Sequence, residues 1–141
     1  MRFWDASALV SLLAGDAGGE RLEELYGDGA GVWIWWITPV EIASSIARRE
    51  RSGELTAESA ARAYATLARM AATWHQVLPG EALRESAKRL LRIHPLRAAD
   101  SLQLASALTL AGPEHAPIEF VSRDMRLIDA AGKQGLTVLC P

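Results

Sequence analysis

The run Val32–Ile37, "VWIWWI", is apolar at every position. A strand that meets water on one side alternates apolar with polar residues, so a strand apolar on both faces has to be covered on both. The glycine-rich "GDGAG" before the run and Thr38–Pro39 after it bound it at strand length. Burial of both faces is what a parallel sheet between two helical layers provides.

The rest of the chain alternates in the way such a sheet requires. Arg2–Asp5 reads as a short strand and Ala6–Ala14 as a helix ended by Gly15. Glu20–Tyr26 is a second helical stretch, and Thr38–Pro39 opens a helix reaching about Arg51. The alanine-rich segment from Thr56 to about Thr73, with Leu67 and Met70, predicts a helix, and "WHQVL" a short strand. Glu81–Ile93 is amphipathic: Leu83, Ala87, Leu90 and Leu91 share one face and Arg84, Lys88 and Arg92 another. Pro95 interrupts, and Leu96–Ala111 resumes as a helix ended by Gly112–Pro113. "IEFVS" reads as a strand, Met125–Gln134 as a helix capped by Gly135, and "LTVLC" as a final strand. With no repeat or linker, residues 1–141 are expected to form one three-layer α/β domain with a mainly parallel sheet.

Half of the 141 residues are hydrophobic, enough for a substantial core. The longest apolar run falls far short of the roughly 20 residues of a membrane span, and no basic-then-apolar signal segment opens the chain. A single cysteine, Cys140, allows no internal disulfide, so a cytoplasmic setting is expected. His75, His94 and His115 are scattered without zinc-ligand spacing.

Four acids stand out by position. Asp5 closes the first strand and precedes a helix, as an N-cap does and as a ligand at a strand's carboxyl end does. "TPVE" fits a capping box with Thr38 as N-cap, Pro39 at N1 and Glu41 at N3, yet it too sets a carboxylate just beyond a buried strand. Asp124 follows the strand of "FVSRD" and again begins a helix, where the helix dipole favours an acid. Asp100 sits near the start of a small, apolar helix, either paired with Arg97 or facing a cleft. An exposed ion pair is a weak reason for it, worth about 0–1 kcal/mol. Singly, each acid has a structural role. Jointly, strand-to-helix junctions gather on one edge of a parallel sheet, and four carboxylates there repel one another unless cations are bound. Oxygen donors without paired His or Cys select Mg²⁺ or Mn²⁺.

"FWDASALV", "TPVEIA", "LRAADSLQLASAL" and "FVSRDMRLIDAAGKQGLTVL" resemble, in order and across the chain, the four motifs of the PIN domain. They are most similar to the VapC-type toxins of bacterial and archaeal toxin–antitoxin pairs. The resemblance implies a parallel five-stranded sheet flanked by helices and Mg²⁺- or Mn²⁺-dependent cleavage of RNA. Asp5, Glu41, Asp100 and Asp124 match the family's acidic positions, with Ser7 and Ser122 at its supporting hydroxyl positions. A cognate antitoxin and a homodimer are the partners it implies.

The formal charge of −2 is unusual for an RNA-binding chain, but removing four site acids from that count leaves +2. Arg97 and Arg123, beside two of the acids, are candidate phosphate contacts. Trp33, Trp35 and Trp36 are bulky for a strand between helical layers, which suggests core packing and a face buried in a homodimer. Leu9, Leu12 and Leu13, with the helix from Thr38, could offer an apolar groove to an antitoxin segment. Two other readings fit the acids less well. A phosphatase with Asp5 as nucleophile would want an aspartate at position 7, where this chain has Ser7. A non-catalytic PIN-like binding module would have no need of four intact acids.

Overall fold

Five short strands form one parallel sheet in the order β3-β2-β1-β4-β5. In the computed structural model, which describes residues 1–16, 18–114 and 116–141, the chain runs β1 (Arg2–Trp4), α1 (Ala6–Ala14), α2 (Gly19–Gly27), β2 (Trp33–Trp35), α3 (Thr38–Arg51) and α4 (Ala57–Ala71). It continues through β3 (His75–Val77), α5 (Glu81–Ile93), α6 (Ala98–Ala111), β4 (Glu119–Val121), α7 (Met125–Lys133) and β5 (Thr137–Leu139). His115 lies outside the described residues.

The period-2 geometry of strands sorts the core into two layers. Phe3, Trp35, Val77 and Phe120 point to the face covered by α5, α6 and α7. Trp4, Ile34 and Val121 point to the other, covered by α1 to α4. Phe3 and Phe120, paired across β1 and β4, stack with centroids 5.7 Å apart. Burying a side chain of this size contributes about 1.5–3 kcal/mol, so these two layers dominate the stability.

Local chemistry sets the boundaries. Gly15 ends α1 in the left-handed region, φ 64°, where its N–H reaches the Ser11 carbonyl. Thr56 caps α4 by accepting from the Ser59 N–H at 3.1 Å. On α5 the buried face is Leu83, Ala87 and Leu90; Leu91, at the margin of that stripe, is exposed. α6 begins at Ala98 rather than Leu96, because Arg97 is extended (φ −82°, ψ 165°) after Pro95.

The apolar run of Val32–Ile37 is buried for only part of its length. β2 stops at Trp35; Trp36 still donates its N–H to the Val77 carbonyl at 3.1 Å, but its side chain passes beyond the helical cover and is 48% exposed. Trp35 joins the core, and Trp33 stacks on His75 at 4.8 Å.

Candidate functional site

β1, β2 and β4 are parallel, so their carboxyl ends and the helices that follow open on one edge of the sheet. Asp5 follows β1 there as the N-cap of α1. It is only 5% exposed and meets three donors on one oxygen. Oδ2 accepts from the Ser7 N–H at 3.1 Å, from the Ser7 hydroxyl, and from the Ser122 hydroxyl at 2.9 Å. The same two serines bind the β4–α7 turn: the Arg123 N–H donates to Ser7 Oγ at 2.9 Å and the Asp124 N–H to Ser122 Oγ at 3.1 Å. Ser7 and Ser122 thus tie the first acid to the last.

Glu41 is not part of a capping box. The N-cap of α3 is Ile37, whose carbonyl accepts from Val40 and Glu41 at 2.8 and 3.2 Å, and among the described residues no side chain caps the helix. The turn at Trp36–Ile37 starts the helix one residue early, so Thr38 is a helical residue facing inward, fully buried. Freed from capping, Glu41 Oε2 accepts from the amide Nε2 of Gln103 on α6. That amide also donates to Thr38 Oγ1 at 3.0 Å. Sequence reasoning missed this role of Gln103. Its signal was a lone amide three residues after Asp100, on the same face of a small-residue helix.

Asp100 occupies the third helical position of α6, where its Oδ2 accepts from the Arg97 N–H at 3.3 Å. The contact is with the backbone, so of the two readings of Asp100 the Arg97–Asp100 salt bridge is absent among the described residues, and the Arg97 side chain is exposed. Asp124 caps α7, Oδ1 accepting from the Arg126 and Leu127 N–H groups at 2.9 and 3.1 Å. Arg123 beside it is half-buried and engaged in contacts of its own.

One pattern joins the four acids. Each commits a single oxygen to protein donors, and among the described residues no donor meets the other. The electrostatics unite three of them. Burial pushes the Asp5 carboxyl up, its serine hydrogen bonds oppose this, and the charge of Asp100 adds to the rise. Burial pushes Glu41 up to about 7, with Asp5 and Asp100 adding to the rise and the Gln103 hydrogen bond opposing it. Asp124 adjoins this trio through Ser122.

Among the described residues no three His, Cys, Asp or Glu side chains converge closely enough to hold a metal ion as they stand. The donor chemistry nonetheless suits a hard divalent cation: clustered carboxylates, each with an oxygen to spare, held at a charge that burial and repulsion oppose. His75 stacks on Trp33, and buried His94 pairs with Gln134 at 2.9 Å, so neither belongs to the carboxylate cluster.

Repulsion within the trio predicts a gain from removing one charge. In chelator, Asp100→Asn should be more stable than the parent by about 1 kcal/mol, since Asn can still accept from Arg97. Thermal melting should show a rise of roughly 2–8 °C. A fall would assign Asp100 to helix capping alone.

The other feature of the surface is a groove of about 290 Å³ between α1, α3 and α4. Val10, Leu13, Ile42, Ile46 and Leu55 make it apolar, and Arg49 and Arg62 stand on its wall. Leu9 and Leu12, expected there with Leu13, do not line it: Leu9 is fully buried in the core and Leu12 packs against that core.

The family model of the PIN domain matches residues 2–133. No curated protein matches the sequence. Among solved structures, the chain resembles VapC20 of Mycobacterium tuberculosis, described as a Sarcin-Ricin loop cleaving toxin, with TM-score 0.71, 19% identity and 100% of both chains covered. It resembles FitAcB from Neisseria gonorrhoeae with TM-score 0.70 and 16% identity, over 99% of this chain and 96% of that one. A toxin–antitoxin complex from Klebsiella pneumoniae gives TM-score 0.69 at 20% identity, over 100% of this chain and 98% of that one. At these identities the likeness is one of fold.

Proposed function

Because the chain belongs to the PIN domain family, we propose that it is a metal-dependent endoribonuclease, acting as a single domain over residues 1–141 and serving as the cytoplasmic toxin of a toxin–antitoxin pair. The observation that carries this reading is the carboxylate cluster, in which Asp5 is buried and raised by burial and the charge of Asp100, and Glu41 is raised by burial and the charges of Asp5 and Asp100. The likeness to VapC20, a Sarcin-Ricin loop cleaving toxin, supports RNA as the substrate. Among the described residues no helix is long and apolar enough to cross a membrane.

Asp5, Glu41, Asp100 and Asp124 would hold Mg²⁺ or Mn²⁺, which when bound activates a water, neutralises phosphate oxygens and stabilises the leaving alkoxide. The chain's own residues prepare for this. Ser7 and Ser122 fix which oxygen of Asp5 is spent on the protein. The N-termini of α1, α6 and α7 bring positive dipole ends to Asp5, Asp100 and Asp124, which also favours a phosphate there. Exposed Arg97 would hold the RNA backbone, with Arg123 as a second contact.

Two partners complete the reading. The antitoxin would lay an apolar segment in the groove between α1, α3 and α4, a partner supported by the Klebsiella pneumoniae complex. A second copy of the chain would cover the exposed Trp36, Val40 and Leu78, at the ends of β2 and β3 and in the first turn of α3.

Mapping RNA ends after brief induction tests the activity. New ends should carry 5′-phosphate and 3′-hydroxyl groups. Cyclic-phosphate ends, or no new ends in a culture that stops growing, would overturn the reading.

A further inference from the structure

Gln103 lies within the segment "LRAADSLQLASAL" but is neither one of the four acids nor one of the two supporting hydroxyls. It is 1% exposed, in a helix whose other buried residues are Ala, Leu and Ser. Its Nε2 bridges two groups on α3: the buried hydroxyl of Thr38 at 3.0 Å and the carboxylate of Glu41. An ionised carboxylate only accepts hydrogen bonds, so the amide must turn its NH₂ toward Glu41. That orientation leaves Oε1 buried with no hydrogen-bond partner among the described residues.

A buried acceptor without a donor is unfavourable, and a leucine would fill similar volume without that penalty. Packing therefore does not explain an amide here. Its contacts do. One NH₂ group, fixed in direction by the Thr38 hydroxyl, grips one named oxygen of one acid. Because Oε2 of Glu41 is taken, Oε1 is the oxygen that remains. Asp100 precedes Gln103 by one helical turn, so α6 supplies both an acid and the hold on an acid from α3.

We propose that Gln103 is a positioning residue whose amide clamps Oε2 of Glu41 and so presents Oε1, as a single-oxygen donor, to a divalent cation. The inference rests on the reading of the acids as cation ligands. It differs from the roles of Ser7 and Ser122, which the family motifs already contain. Outer contacts of this kind orient a ligand before the ion arrives, and losing one typically weakens metal affinity 10–100-fold.

Mn²⁺ titration calorimetry on the full chain, with melting in chelator, tests it. Gln103→Leu should fold, with a chelator melting temperature that moves little because loss of the orphaned Oε1 is offset by the unpaired Thr38 hydroxyl and Glu41 Oε2, and should bind Mn²⁺ about 10–100-fold more weakly. Gln103→Met, equally long and flexible but without a donor, should do the same and stands in if the leucine variant does not fold. In a Glu41→Gln background, Gln103→Leu should cause no further loss of Mn²⁺ affinity, because the carboxylate it positions is already gone. Equal Mn²⁺ affinity in parent and folded Gln103→Leu would overturn the clamp and leave the metal site standing. Additive losses in the two backgrounds would also overturn it, as would a lowered chelator melting temperature with unchanged affinity. A parent chain that binds no Mn²⁺ would instead refute the reading of the acids.

Discussion

The Asp5→Asn protein is expected to fold, melt cooperatively in chelator and cleave RNA at least about 10²-fold more slowly than the parent. Asn matches Asp as an N-cap, and its carbonyl oxygen can take the three donors now on Oδ2. Its NH₂ then stands where the open Oδ1 was, a donor in place of a ligand. Burial and the charge of Asp100 both push the Asp5 carboxyl up, so a neutral side chain should raise the chelator melting temperature. Purified-protein cleavage rates, growth after induction and melting curves check each part. Parent-like cleavage by a folded Asn variant would remove Asp5 from the site.

Glu41→Gln separates charge from shape at the second acid. The new amide can still accept from Gln103, so α3 and α6 stay joined. Cleavage should nevertheless fall by about 10²-fold or more. A pH signature accompanies it. Glu41 is raised from 4.5 to about 7, so between these values the folded chain keeps a proton that the unfolded chain has released. Its contribution to stability in chelator is therefore lost as pH rises across that window. Mn²⁺ must displace the same proton, so Mn²⁺ affinity should climb as pH rises toward 7 and level off above it. Glu41→Gln should flatten both slopes. Slopes unchanged in the variant would assign the titration to another group.

The secondary elements were legible because their signals are local. Gly15 and Pro95 mark real boundaries, and the burial of Leu83, Ala87 and Leu90 follows from spacing alone. The acids were legible for a related reason, since three follow strands and a parallel sheet aligns strand ends. Strand order was not, because nothing near Arg2 encodes pairing with Glu119. The one-residue error at α3 came from the Trp36–Ile37 turn, which let Ile37 replace Thr38 as N-cap. Gln103 escaped because its meaning lies in two residues more than 60 positions away, Glu41 and Thr38.

Distance along the chain also gives the site a history. β1 sits at the centre of the sheet, and Asp5 is finished only when Ser122 and the Val121 carbonyl reach it, at 2.9 and 3.0 Å. A ribosome adding about 5–20 residues per second delivers those partners roughly 6–23 s after Asp5 itself. Every growing chain therefore passes through a long period in which its first acid has Ser7 but not the Ser122 half of its serine clasp. The groove proposed for the antitoxin draws on residues between Val10 and Thr66. On the proposed reading, the surface for restraint is synthesised before the means of harm, and a chain stalled short of Ser122 would carry the one without the other.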